Sequence, residues 1–113
     1  MTAPRIASNL LVGSLIRIAE AEGGFGAVLS KGDERSGAIL LLLRERSAPD
    51  QKVMERAMAP DGEYRWAVTR TISLVQELQK LLDQRRQSDP DLWIVELDIP
   101  SIERFTAEMT SFD

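Results

Sequence analysis

Four carboxylates lie close together late in the chain: Asp89, Asp91, Glu96 and Asp98. Acids spaced along a turn and the strand after it could gather oxygen ligands for Mg2+, an ion suited to chemistry on phosphates. Pro90-Asp91 matches the first half of a Pro-Asp…Asp/Glu-x-Lys nuclease pattern. Glu96-Leu97-Asp98, however, ends in aspartate where that pattern requires lysine, and the gap is short. Pairing Asp33 with Glu45 fails on geometry, since a strand advancing about 3.3 Å per residue would separate them widely. The competing reading of Asp89 and Asp91 is a turn around Pro90, with Asp89 accepting backbone amides.

Two basic groupings offer other chemistry. In Lys31-Gly32-Asp33-Glu34-Arg35-Ser36-Gly37 the glycines could let backbone amides face an anion, with Lys31 and Arg35 adding charge. The segment is not a P-loop and no helix follows it, so no helix dipole would assist; a solvated loop is the simpler reading. Arg44 and Arg46 alternate along a strand, with Arg56 and Arg65 on strands that could lie nearby. Such a face, with Tyr64 or Trp66, could hold single-stranded nucleic acid by phosphate contacts and stacking. Glu45, Glu55 and Glu63 are interleaved with these arginines, which favours surface ion pairing instead. Trp66 and Trp93 read as core residues; a partly exposed tryptophan would instead anchor a partner.

Composition narrows the classes further. The 113 residues include no cysteine and no histidine, which removes disulfides, thiolate sites, thiol nucleophiles and the commonest general base. A net charge of −4 runs against the basic excess of most nucleic-acid-binding domains. The length suits one domain, residues 1–113, and the 43% hydrophobic fraction suits a packed core. No apolar stretch approaches the roughly 20 residues needed to span a bilayer, and the N-terminus does not read as a secretory signal, so a cytoplasmic protein is expected.

The elements that must carry these residues follow from periodicity. Residues 1–7 read as a frayed end. A helix capped by Ser8 or Asn9 presents Leu11, Val12, Leu15, Ile16, Ile18 and Ala19 and stops at Gly23-Gly24. Two apolar runs, Phe25–Lys31 and Ala38–Arg46, flank the glycine-bounded loop and predict a β-hairpin. The second is unbroken from Ala38 to Leu43, as in a strand buried on both faces, so it is placed at the centre of the sheet. Covering both of its faces requires helices on both sides or a partner subunit. Ser47-Ala48-Pro49-Asp50 is a turn. Lys52–Met58 is a strand nearer the sheet edge, Ala59–Gly62 a turn, and Glu63–Thr69 a strand with Tyr64, Trp66 and Val68 inward. Ser73-Leu74-Val75-Gln76 matches a capping box opening a helix with Leu74, Leu78, Leu81 and Leu82 on its apolar stripe. Ser88–Asp91 stops it, Leu92–Ile99 is a last strand, and a short helix carries Ile102, Phe105 and Met109 before a tail at 110–113. The order is helix, four-strand meander, helix, strand, short helix: an α+β domain with a mainly antiparallel sheet of about five strands.

Several segments carry a resemblance: Gly23-Gly24-Phe25, Lys31-Gly32-Asp33, Ser36-Gly37-Ala38, Leu43-Arg44-Glu45-Arg46 and Asp89-Pro90-Asp91-Leu92-Trp93-Ile94-Val95-Glu96-Leu97-Asp98. Together they resemble a family of short alphaproteobacterial proteins, domain of unknown function fourteen-ninety-one. The resemblance covers most of the chain and implies a bacterial cytoplasmic protein without implying an activity.

The expectation is therefore a non-catalytic protein–protein interaction module whose contact is an exposed sheet edge or a leftover apolar helix face, a homodimer being one form of it. Its candidate surface is Lys31, Asp33, Arg44, Arg46, Asp89, Asp91, Trp93 and Glu96. No cofactor is expected, a protein partner or self-association is, and nucleic acid is not favoured. The alternatives are a metal-dependent enzyme on phosphates using Asp89, Asp91 and Glu96, and a nucleic-acid binder using Arg44, Arg46 and Arg56.

Overall fold

The computed structural model describes residues 6–46 and 48–109. The readings of residues 1–5 as frayed, of Ser47 as part of a turn and of 110–113 as a tail lie outside the described residues. The elements are α1 (Ser8–Ala21), β1 (Phe25–Ser30), β2 (Ile39–Glu45), β3 (Gln51–Met58), β4 (Tyr64–Ile72), α2 (Val75–Ser88), β5 (Trp93–Ile99) and α3 (Ile102–Met109). The α+β class, the element order and the mainly antiparallel five-stranded sheet are as expected.

The sheet is built around β2, third in the order β1-β5-β2-β3-β4. Leu40, Leu41, Leu42 and Leu43 are all 0% exposed, so the unbroken apolar run does mark a strand covered on both faces. Alternation sends Leu41 and Leu43 into one core with α1 and α3, and Leu40 and Leu42 into another with α2. Burying a leucine side chain is worth roughly 1.5–3 kcal/mol, so this one strand supplies a large favourable term to folding.

The predicted hairpin between β1 and β2 does not form. β5 lies between them, antiparallel to β1 and parallel to β2, and the meander is confined to β2, β3 and β4. Burial explains the exchange. Trp93, Ile94 and Val95 are apolar on both faces and buried, whereas β1 offers Gly26 and Ala27 between half-exposed neighbours. The more apolar strand takes the interior position. Direction follows from the connection: β4 runs parallel to β2, α2 carries the chain back, and β5 re-enters in the same sense.

Local signals at both long helices are corrected. Neither helix start has a side-chain cap: the flanking residues are Ala7 and Leu74. Ser8 is buried and donates its hydroxyl to the Gly37 carbonyl at 2.6 Å, while the Asn9 side chain accepts from the neighbouring Leu10 amide. Ser73 donates to Asp50 at 2.7 Å instead of closing a capping box, and Leu74 lies outside the buried stripe. On β4 only Trp66 of the expected inward set is buried. Tyr64 and Val68 share its face but stay exposed, because the helices on that side contact β1, β5 and β2.

α2 is fixed to the opposite face by Leu78, Leu81 and Leu82 and by an ion pair. Arg85 donates to Glu55 of β3 at 2.6 Å, and Thr69 of β4 donates to the same carboxylate at 2.8 Å. Burial pushes the Glu55 carboxyl up, but the bonds from Arg85 and Thr69 outweigh it and hold Glu55 below its ordinary value. A lowered folded-state value stabilises the fold above the carboxylate range, and that contribution is lost as pH falls through it. Glu55→Gln should therefore lower stability by about 1 kcal/mol at neutral pH. The difference from the wild-type chain should shrink in acid; urea denaturation at neutral and acidic pH measures both.

Candidate functional site

Most of the candidate residues gather at one end of the sheet, Arg44 and Arg46 lie at the other, and Glu96 sits between. At the end where β1 finishes and β5 begins, the 31–37 loop, the 89–92 turn and the start of α1 lock together. Asp33 donates its amide to the Asp91 carbonyl at 3.0 Å, and the Trp93 indole donates back to the Asp33 carbonyl at 2.7 Å. The Ser8 and Asn9 amides donate to the Arg35 and Glu34 carbonyls. Close approach explains the glycines. A Cβ on Gly32 would lie 2.1 Å from the Asp91 carbonyl oxygen, and one on Gly37 would lie 2.3 Å from the same atom. Lys31-Gly32-Asp33, Ser36-Gly37 and Asp89-Pro90-Asp91-Leu92-Trp93 are thus one joint in space.

Several of the groups that an anion would need are engaged within the joint. The Asp33 carboxylate accepts the Ser36 amide at 2.9 Å, the Ser36 hydroxyl at 3.0 Å and the Arg35 amide at 3.1 Å. The bonds from Ser36, followed by the Arg35 amide, hold Asp33 below its ordinary value. The Gly37 amide donates to the Asp33 carbonyl, and Lys31 pairs with Glu34 at 3.4 Å on the surface. Asp89 accepts the Asp91 amide at 3.1 Å, as in the turn reading. Asp91 contributes backbone to the joint. Trp93 is buried in the core, as expected of it.

Arg44, Arg46 and Glu96 lie apart from this joint. Arg44 is level with Asp98 and Gln51 at the far end of β2. Arg46, just past the strand, pairs with Asp98 at 3.7 Å and donates to the Gly23 carbonyl. Glu96 is level with Ala27 and Leu42 in the middle of the sheet. Among the described residues no group of three or more acidic side chains could hold a metal ion, so Asp89, Asp91 and Glu96 are not brought together as ligands. The arginines do not share a surface either. Arg44 lies on the α2 side, Arg56 stacks over Trp66 on the other face at 5.2 Å, and Arg65 pairs with Asp61.

The feature that sequence reasoning missed is β1. It is an edge strand whose outer side has no strand partner among the described residues. Phe25, Val28 and Leu29 are 58%, 44% and 43% exposed. From Phe25 to Ser30 it carries no charge and no proline, the devices that normally blunt an edge. The opposite edge, β4, carries Arg65 and Arg70. A register shift between Val28 and Ser30 is the one irregularity in β1. The signal was present as an uncharged stretch from Gly23 to Ser30, but assigning β1 to β2 concealed its open side.

The structure is an α+β domain with helices on both faces of its sheet and one unblunted edge. The chain belongs to the family described as protein of unknown function, DUF1491, whose model matches residues 6–107. A crystal structure of a DUF1491 family protein from Caulobacter crescentus is similar at 30% identity, covering 89% of this chain and 94% of that one, with a TM-score of 0.78. The solution structure of protein Atu0922 from A. tumefaciens is similar at 31% identity, covering 90% and 92%, with a TM-score of 0.76. No match was found among curated proteins. Among the described residues no helix is long and apolar enough to cross a membrane.

If the 31–37 and 89–93 joint is structural, its variants should sort by backbone contact rather than by charge. Trp93→Phe, which leaves the Asp33 carbonyl without its indole donor, should cost about 1–3 kcal/mol in chemical denaturation. Asp91→Ala keeps the backbone contacts and should stay within about 0.5 kcal/mol of wild type.

Proposed function

We propose that the protein is a non-catalytic protein–protein interaction module and that β1 is its docking edge. The observation that carries this reading is the contrast between the two sheet edges: β4 bears Arg65 and Arg70, while β1 bears no charge along its six residues and exposes Phe25, Val28 and Leu29. An unprotected edge offers unpaired backbone donors and acceptors, which favours addition of an extended strand from a partner. The side chains beside it extend the contact on the face that α2 leaves open, where Phe25 and Ala27 are level with Asp98 and Glu96. Main-chain pairing would supply affinity and this mixed apolar and acidic strip would supply selectivity.

The test is affinity capture of the tagged protein from a bacterial lysate with nuclease treatment, run beside Ala27→Lys. Ala27 is exposed on β1, so lysine there blunts the edge without entering the core. The expected result is a stoichiometric protein partner that survives nuclease and is lost with Ala27→Lys. A partner released by nuclease, or one retained equally by Ala27→Lys, would count against the reading.

A further inference from the structure

We infer that β1 pairs antiparallel with β1 of a second copy of this chain about a two-fold axis at Ala27; the inference rests on the docking-edge reading and names its occupant. Symmetry restricts the choices. In an antiparallel pair, residues directly opposite each other project to the same face, so a two-fold axis normal to the sheet must pass through a residue rather than between two. With Ala27 as the centre residues 25–29 overlap, of which 26–28 pair before the register shift after Val28; a centre at Val28, with an overlap of the same length, would carry the pairing through the shift. The Ala27 centre places the small Ala27 side chains opposite each other. It sets Gly26, which has no side chain, against Val28 of the second copy, and both residues lie on the α1 side, level with Leu97 and Val95.

Charge favours the same arrangement. No charge lies within the overlap, so two copies of a chain of net charge −4 can approach there without like charges opposing. Beyond the overlap, the antiparallel sense sends Lys31 of each copy, which pairs on its own surface with Glu34, towards the end of α1 in the other that carries Glu20 and the Glu22–Arg104 pair. A parallel pairing would set Lys31 beside Lys31. The product is a continuous ten-stranded sheet, which removes one edge from each copy. A contact of this length falls short of the roughly 800 Å² per partner typical of tight complexes, so the dimer should be weak, with a micromolar or higher Kd.

Sedimentation equilibrium of the full chain from about 10 µM to 1 mM tests this, with heteronuclear NMR spectra verifying that each variant is folded. The wild-type chain should show a reversible monomer–dimer equilibrium. Ala27→Lys and Ala27→Glu, each placing like charges opposite across the axis, should each weaken it at least about tenfold. An equimolar mixture of the two should recover the dimer, since lysine then faces glutamate. A wild-type chain that stays monomeric at about 1 mM would overturn self-pairing, while the lysate capture would still decide the docking-edge reading separately. A dimer indifferent to Ala27→Lys would place the contact elsewhere, and a mixture that fails to recover would exclude this register.

Discussion

Coverage of β2 on both faces is the constraint from which the rest follows. Leu40 to Leu43 point alternately to opposite sides and have no exposure at all, so neither face of the strand can be left to water. One face takes α2, which packs Leu78, Leu81 and Leu82 there, and the other takes α1 and α3, with Leu15, Phe105 and Met109. The strand also needs neighbours on both sides that are themselves apolar on both faces near the centre. β5 meets that demand over Trp93 to Val95, and β1 does not. The displacement of β1 to the rim is therefore a consequence of packing at the centre rather than a local property of β1.

The joint between the 31–37 loop and the 89–92 turn serves the same constraint. A parallel neighbour must be brought into register at the strand starts, where no short turn links β5 to β2. Here the Trp93 amide donates to the Ala38 carbonyl at 2.8 Å, and the Trp93 indole and the Asp91 carbonyl clasp Asp33. Two glycines let the backbones meet where any side chain would collide. Residue types that suggest chemistry when read one at a time, such as a Lys-Gly-Asp triplet or a pair of aspartates flanking a proline, act together as a clamp on strand register.

Much of the architecture was legible from periodicity. The run from Ala38 to Leu43 announced a doubly covered strand, and the stripes of α1 and α3 named their buried residues. What failed was pairing between segments distant in sequence. The hairpin was inferred from proximity along the chain and from the glycines, yet those glycines serve close approach to a turn more than fifty residues away, as the Gly32 and Asp91 numbering shows. The caps failed for a related reason: Ser8 and Ser73 have the right chemistry for the helix start beside them, but tertiary partners at Gly37 and Asp50 take their hydroxyls. The candidate site divided likewise. Asp33, Asp89, Asp91 and Trp93 do meet, with Lys31 on the surface beside them, while Arg44, Arg46 and Glu96 belong to the sheet beyond them.

The two rims of the sheet differ in a way the fold itself does not require. Each strand has one open side, and each could have been blunted at little cost, since a lysine or glutamate on an exposed edge touches nothing in the core. β4 has its charges: Arg65 is tied to Asp61, and Arg70 stands beside Val53 on the α2 side. β1, whose six residues include Phe25, Val28 and Leu29, has none. An apolar edge raises the risk of non-specific pairing, and the register shift at its end limits that risk by shortening the regular stretch. A strand that keeps its apolar residues and confines its regular part to a few positions suits a short, specific pairing better than it suits solvent.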